Sequence, residues 1–168
     1  RAHAVHPVAA VQSEYSLSTR GPELGMIQAC KDIGATFVAF SPVGRSLLTD
    51  HPHNRATAEN MDFLVNNPRF MEPNLSENLK FNAKFRSLAA VLSISAAGLA
   101  IAWVLHQGDH IAAIPGTRHT AHLQELAQGA DFTITDEIAT RINDVLPVGW
   151  AHGDRYSDQQ WVGPERYC

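Results

Sequence analysis

Hydrophobic positions in this 168-residue chain fall into three short apolar runs, at residues 8–15, 35–40 and 111–114. Between the first two, Pro22 stands at the first position of a helical pattern that continues to Gly34. Alternation of strand, helix and strand predicts a right-handed βαβ unit in a parallel sheet. The continuous apolar character of residues 8–15 predicts that the first strand is buried on both faces at its start.

Four helices and one loop account for most of the remaining chain. The loop, residues 50–60, is polar, has no apolar period and follows the second strand directly. Ser95 is the expected N-cap of the most apolar helix. The predicted helices cover residues 76–92, 95–107, 120–128 and 136–146, and a turn-rich aromatic tail begins at residue 150.

Composition and charge exclude several classes of protein. With 45% hydrophobic and 18% charged residues, the chain has the profile of a globular protein. A net charge of -4 without a basic run argues against nucleic acid or membrane partners. Two cysteines, Cys30 and Cys168, are too few for a disulfide framework. We therefore expect a cytoplasmic protein.

Polar and glycine residues gather at the carboxyl end of each apolar run. They occupy residues 12–14, 41–45 and 116–118. In α/β barrels and in open α/β sheets, ligands bind at that edge. The sequence therefore predicts a binding site formed by the three strand ends.

Four sequence blocks stand in a specific order: residues 11–17 (VQSEYSL), 38–45 (VAFSPVGR), 102–105 (AWVL) and 114–118 (IPGTR). With Leu123 and Glu125, they resemble the C-terminal half of an aldo-keto reductase, more in its bacterial and channel-β-subunit-like branch. The resemblance covers about residues 8–146. It implies an α/β fold, the C-terminal portion of a (β/α)8 TIM barrel with about three βα units and C-terminal helices.

The resemblance also implies an NADP-dependent oxidoreductase that reduces a small-molecule carbonyl substrate, an aldehyde or ketone, to an alcohol. Residues 1–168 would then be a single partial domain, the C-terminal half of the barrel, whose partner is the missing N-terminal half. The start at Arg1 rather than Met agrees with this expectation of a fragment.

Two residues are implied to contact the nicotinamide of NADP(H). Gln12 would bind the carboxamide, since an amide side chain offers both a donor and an acceptor. Phe40 would stack on the nicotinamide ring and present one face of it to the substrate. Taken alone, Gln12 is more typical of a solvated or capping residue at a strand end, and barrel core is the alternative interpretation of Phe40.

The implied phosphate and adenine contacts come from the turns after the second and third strands. Arginine offers a fork of donors to phosphate oxygens, and a 2'-phosphate pocket needs a cation, which favours NADPH over NADH. The pyrophosphate contacts would be Ser41, Pro42, Val43, Gly44, Arg45 and Ser46. The 2'-phosphate and adenine contacts would be Gly116, Thr117, Arg118, His122 and Glu125. At the position of His122 relatives often have glutamine or arginine. At the position of Leu126 many of them have asparagine.

No catalytic residue is predicted in this chain. The family's Asp, Tyr, Lys and His tetrad lies in the first half of the barrel, and Lys31, Lys80 and Lys84 all lie on predicted helices. His51 and His53 have no third ligand in view, so we predict no metal site. Two alternatives therefore stay open: a non-catalytic NADP(H)-binding subunit, and an inactive truncated remnant.

Overall fold

Three parallel strands form one sheet in a computed structural model that describes residues 1–162, so that Cys168 lies outside the described residues. The strands are β1 (Ala10–Glu14), β2 (Thr36–Phe40) and β3 (Ile111–Ile114), and β2 is central. Both pairings are parallel. The predicted parallel α/β arrangement is confirmed.

Seven α-helices accompany the sheet within residues 1–162. Ser95 caps the most apolar helix as predicted, because its Oγ accepts a hydrogen bond from the Gly98 N–H at 3.0 Å. The helices are α1 (Ala2–Val5), α2 (Met26–Asp32), α3 (Arg55–Ala58), α4 (Asn74–Val91), α5 (Ala96–His106), α6 (Thr120–Asp131) and α7 (Asp136–Val145). Short 3-10 helices cover Gly21–Leu24, Gly44–Ser46 and Pro68–Phe70.

Three sequence predictions about helices are wrong in detail. The helix predicted after Pro22 is two pieces, because Gly25 adopts a φ of 149° and separates the 3-10 turn from α2. The predicted loop at residues 50–60 contains α3, whose N-cap Asn54 accepts from the Thr57 N–H at 2.9 Å. The helix expected from residue 76 begins at Asn74, directly after Pro73.

The first strand is exposed where the sequence predicts burial. Ala10 and Gln12 are exposed, and burial begins only at Ser13 and Glu14. The reason is position, since β1 lies at one edge of the described sheet and β3 at the other. The residues at the carboxyl end of β1 are thus its best-covered part.

A cluster of aromatic side chains joins α5 to the sheet. Trp103 of α5 is 2% exposed, and its ring lies 5.4 Å from that of Tyr15. Tyr15 in turn meets Phe37 of β2 edge to face at 5.8 Å.

No single helix within residues 1–162 is long and apolar enough to cross a membrane. The helices α4 and α5 reach the required length and apolar character only together, and the pair is bent by 86°.

The backbones of α5 and α6 come into direct contact at two glycines. A Cβ added to Gly129 of α6 would lie 2.3 Å from the carbonyl oxygen of Gly98. A Cβ added to Gly98 would lie 2.9 Å from the carbonyl oxygen of Glu125. This contact fixes α6 against α5 and so positions the side chains that α6 carries.

We expect Gly129→Ala to lower the free energy of unfolding by about 1–3 kcal/mol, because two packed backbones must move apart to admit the methyl group. Urea unfolding followed by circular dichroism measures the change. Gly116→Ala is the matched control: its Cβ would meet nothing within 4 Å, so a change within about 0.5 kcal/mol is expected. Equal changes in the two variants would contradict the close contact.

Candidate functional site

A cleft of about 950 Å³ opens at the carboxyl ends of β2 and β3. Phe40 and Ile114, the last residues of those strands, both line it. Its volume lies within the range of about 300–1,000 Å³ that is typical of small-molecule sites. Eleven of the thirteen residues that the family resemblance implies as cofactor contacts line the cleft: Phe40, Ser41, Pro42, Val43, Arg45, Ser46, Gly116, Thr117, Arg118, His122 and Glu125.

The other two implied cofactor contacts do not line the cleft. Gln12 is exposed on the edge strand β1, in register with Val38 of β2. Gly44 is buried behind the turn, with a φ of 59°, and a Cβ there would lie 2.9 Å from Ser18 Oγ. Gly44 therefore shapes the turn through its backbone and its lack of a side chain.

The turn after β2 holds an unusual backbone conformation. Three non-glycine residues have positive φ: Ser41 at 50°, Arg45 at 54° and Ser46 at 84°. Each costs about 1–3 kcal/mol, and strain of this kind is common at functional sites. Left-handed residues beside right-handed ones also form concave groups of backbone N–H that bind anions.

The guanidinium of Arg45 is held by other parts of the chain. Its Nη2 donates to Glu14 Oε2 at 2.6 Å, and its Nη1 donates to the carbonyl oxygen of Arg155 at 3.0 Å. The central carbon of this guanidinium, Cζ, lies 4.9 Å from the ring centre of Phe63 and 4.8 Å from that of Tyr156. The family resemblance implies a pyrophosphate contact for this guanidinium, and the sequence gives no sign of the contacts observed here.

Glu14 is the buried anion of this cluster. Its side chain is 0% exposed, and its Oε1 accepts from Thr19 Oγ1 at 3.0 Å. Arg69 Nη1 lies 3.8 Å from the same oxygen and donates to Thr19 Oγ1 at 2.9 Å. Burial lowers the pKa of Arg69 to about 10, against the opposing effect of the Glu14 charge. Glu14 thus lies beside two arginines, the partly buried cleft residue Arg45 and the buried Arg69.

Neither tyrosine of the described residues has the environment of a general acid. The Tyr15 hydroxyl donates to Glu23 Oε1 at 2.9 Å, and burial together with the Glu23 charge raises its pKa far above the usual range. Burial also raises the pKa of Tyr156, which lines the cleft. The third tyrosine, Tyr167, lies outside the described residues.

His51 and His53, which the sequence presents only as a possible metal pair, line the cleft as well. Several cleft residues have no cofactor contact implied by the sequence, because they come from segments far apart in the chain. They are Asp50, His51, His53, Phe63, His119 and Tyr156. Only a surplus of histidines next to the strand-end turns could have drawn attention to some of them. Within residues 1–162 no three His, Cys, Asp or Glu side chains are arranged to hold a metal ion.

We expect Glu14→Gln to lower the free energy of unfolding by about 3–5 kcal/mol, because it leaves Arg45 and Arg69 without their buried anion. Thermal and urea unfolding measure the loss. Glu59→Gln is the control, since Glu59 is 53% exposed and pairs with Arg55 at 2.9 Å on the surface; its cost should stay below about 1 kcal/mol. A Glu14→Gln cost no larger than the control would contradict the central role of this carboxylate.

Comparisons with known proteins agree with the fold. The sequence profile of the Aldo/keto reductase family matches residues 1–147. The chain is 34% identical over 159 residues to aldo-keto reductase yakc [NADP(+)] of Schizosaccharomyces pombe, covering 93% of this chain and 47% of that protein. It is 32% identical over 158 residues to aldo-keto reductase str7 of Strobilurus tenacellus, covering 92% and 47%.

Among solved structures, glycerol dehydrogenase AKR11B4 from Gluconobacter oxydans superposes with a TM-score of 0.71 at 26% identity, covering 86% of this chain and 44% of that one. The chain thus spans about half the length of the relatives it matches. Its three parallel strands are consistent with part of the barrel of these relatives. The chain belongs to the aldo/keto reductase family.

Proposed function

We propose that the cleft binds NADP(H) and that the chain supplies the cofactor-binding half of an oxidoreductase that reduces aldehydes or ketones to alcohols. One observation carries this proposal: a single cleft at the strand ends is lined by most of the residues to which the family resemblance gives cofactor contacts. A relative at 34% identity carries NADP(+) in its name, which supports the choice of cofactor.

The lining residues fit the parts of a dinucleotide phosphate. Phe40, half-buried at the end of β2, offers an aromatic face to a flat ring. The left-handed turn at residues 41–46 offers backbone donors to a pyrophosphate. Arg118 is exposed, and within residues 1–162 it forms no ion pair, so its guanidinium is available to the 2'-phosphate.

In this proposal the residues of the chain bind and orient the cofactor. The reduction itself also needs a hydride and a proton. The nicotinamide, when bound, supplies the hydride for the carbonyl carbon. The carbonyl oxygen needs a proton from a general acid, and burial makes Tyr15 and Tyr156 poor donors by raising their pKa. We therefore assign the acid and the carbonyl site to the N-terminal half of the barrel that the family fold implies.

A second function, a non-catalytic NADP(H)-binding subunit, is favoured by the same two tyrosines. It needs the cleft and no general acid. Binding separates both proposals from an inactive remnant, and turnover separates them from each other. The decisive assay of turnover is the oxidation of NADPH, with alcohol formed in equal amount, when the chain is combined with an N-terminal half-barrel from a relative.

For binding, we expect Arg118→Gln to weaken the affinity of the purified chain for NADPH about tenfold to hundredfold, because a phosphate loses charge-assisted hydrogen bonds of about 1.5–3 kcal/mol. Isothermal titration calorimetry measures the Kd. Affinity for NADH, which has no 2'-phosphate, should change little.

Arg141→Gln on α7 is the matched control, because Arg141 does not line the cleft. It should leave both affinities unchanged. If the unmodified chain gives no heat and no fluorescence change with NADPH, the cofactor proposal is wrong. An equal loss of NADPH and NADH affinity in Arg118→Gln would instead remove Arg118 from the 2'-phosphate site.

A further inference from the structure

Three asparagines stand four residues apart on α4, at Asn74, Asn78 and Asn82. That spacing places them on one side of the helix, in successive turns. Asn78 is 0% exposed and Asn82 is 1% exposed. Asparagine is a poor helix former, and a buried amide without hydrogen-bond partners destabilises a fold. The two buried asparagines therefore need partners outside α4.

The partners of Asn78 are backbone atoms of two other segments. Its Nδ2 donates to the carbonyl oxygen of His152 at 3.0 Å, and its Oδ1 accepts from the His152 N–H at 2.7 Å. The same Nδ2 donates to the carbonyl oxygen of Arg69 at 3.1 Å. An amide side chain can satisfy both polar groups of a backbone residue because it carries a donor and an acceptor. Asn78 thus holds His152 without using the side chain of His152.

Asn82, one turn further along α4, holds a different segment by the same kind of contact. Its Nδ2 donates to the carbonyl oxygen of Leu47 at 2.8 Å and to that of Thr49 at 3.0 Å. Both acceptors lie in residues 46–50, which we call the turn segment, and Thr49 lines the cleft. One helix therefore contacts the turn after β2 and the C-terminal part of the chain together.

The segment that Asn78 holds brings a second residue to the cleft. Residues 150–156, which we call the tail segment, end at Tyr156, which is 7% exposed and lines the cleft. Between His152 and Tyr156, the carbonyl oxygen of Arg155 accepts from the buried Asn67 Nδ2 at 2.6 Å. The tail segment is thus docked through backbone atoms at more than one point.

We propose that Asn78 and Asn82 are positioning residues for two walls of the cleft, Asn78 for the wall at Tyr156 and Asn82 for the wall at Thr49. The inference goes beyond the proposed function, because it concerns how the cleft is held and does not depend on its ligand. The hydrogen bonds of Asn78 end on residues 69 and 152, and those of Asn82 end on residues 47 and 49. Each wall can therefore open locally without the other.

The test is amide hydrogen exchange of the purified chain, measured by mass spectrometry on its peptides. We expect Asn78→Ala to speed exchange in the tail segment about tenfold to hundredfold and to leave the turn segment unchanged, because buried hydrogen bonds are lost at one place. Asn82→Ala should do the reverse. The two variants remove the same amide from the same helix at nearly equal burial, so each is the control for the other.

A third variant tests whether the tail segment is held through its backbone. His152 is exposed, and Asn78 contacts only its N–H and carbonyl oxygen. His152→Ala keeps both groups, so we expect exchange in the tail segment to change by no more than about twofold.

Nuclear magnetic resonance of the unmodified chain gives a measurement that no folding defect of a variant can spoil. The side-chain NH2 groups of Asn78 and Asn82 should exchange slowly with solvent, because they are buried and hydrogen-bonded. The side-chain NH2 of Asn66, which is exposed, should exchange fast.

Three outcomes would overturn the inference. They are equal acceleration of both segments in both asparagine variants, which a general loss of stability produces, an acceleration by His152→Ala as large as that by Asn78→Ala, and fast exchange of the Asn78 and Asn82 side-chain amides. Absence of NADP⁺ binding in a separate titration would overturn the cofactor proposal and would leave the exchange results as they stand.

Discussion

The carboxylate of Glu14, which no solvent reaches, ends β1 and requires positive charge beside it. Arg45 supplies that charge from the turn after β2, and Arg69 supplies more from the 3-10 helix Pro68–Phe70. Arg45 also donates to the carbonyl oxygen of Arg155, which brings in the tail. One buried anion thereby connects four segments that the chain order keeps far apart, and the cleft wall at Arg45 and Tyr156 depends on it.

The part of the cleft lining that α6 contributes is held in place by packing rather than by charge. Gly98 and Gly129 bring α5 and α6 together without side chains between them. Because α5 is buried against the sheet through Trp103, the position of α6 is tied to the same sheet that carries the turn after β2. His122 and Glu125 are therefore held relative to the strand ends although α6 itself is largely exposed.

Local pattern was enough to predict the strands, the cap at Ser95 and the turns at the strand ends, because each is decided by residues a few positions apart. Contacts across 31 and 110 residues, such as those from Arg45 to Glu14 and to Arg155, have no local pattern. The same holds for the joining of His51 and His119 in one cleft. The exposed start of β1 was missed for a related reason, since burial depends on which strand lies beside it.

In the proposed function, cofactor binding and proton transfer make opposite demands on ionisable groups. A phosphate-bearing ligand needs cations at the cleft surface, and Arg118 can meet that need from an exposed position. A general acid needs a proton that is easily given up, and the buried positions of Tyr15 and Tyr156 hold their protons more firmly. Burial thus makes both tyrosines poor general acids, and the proposed cofactor site does not require them to act as acids.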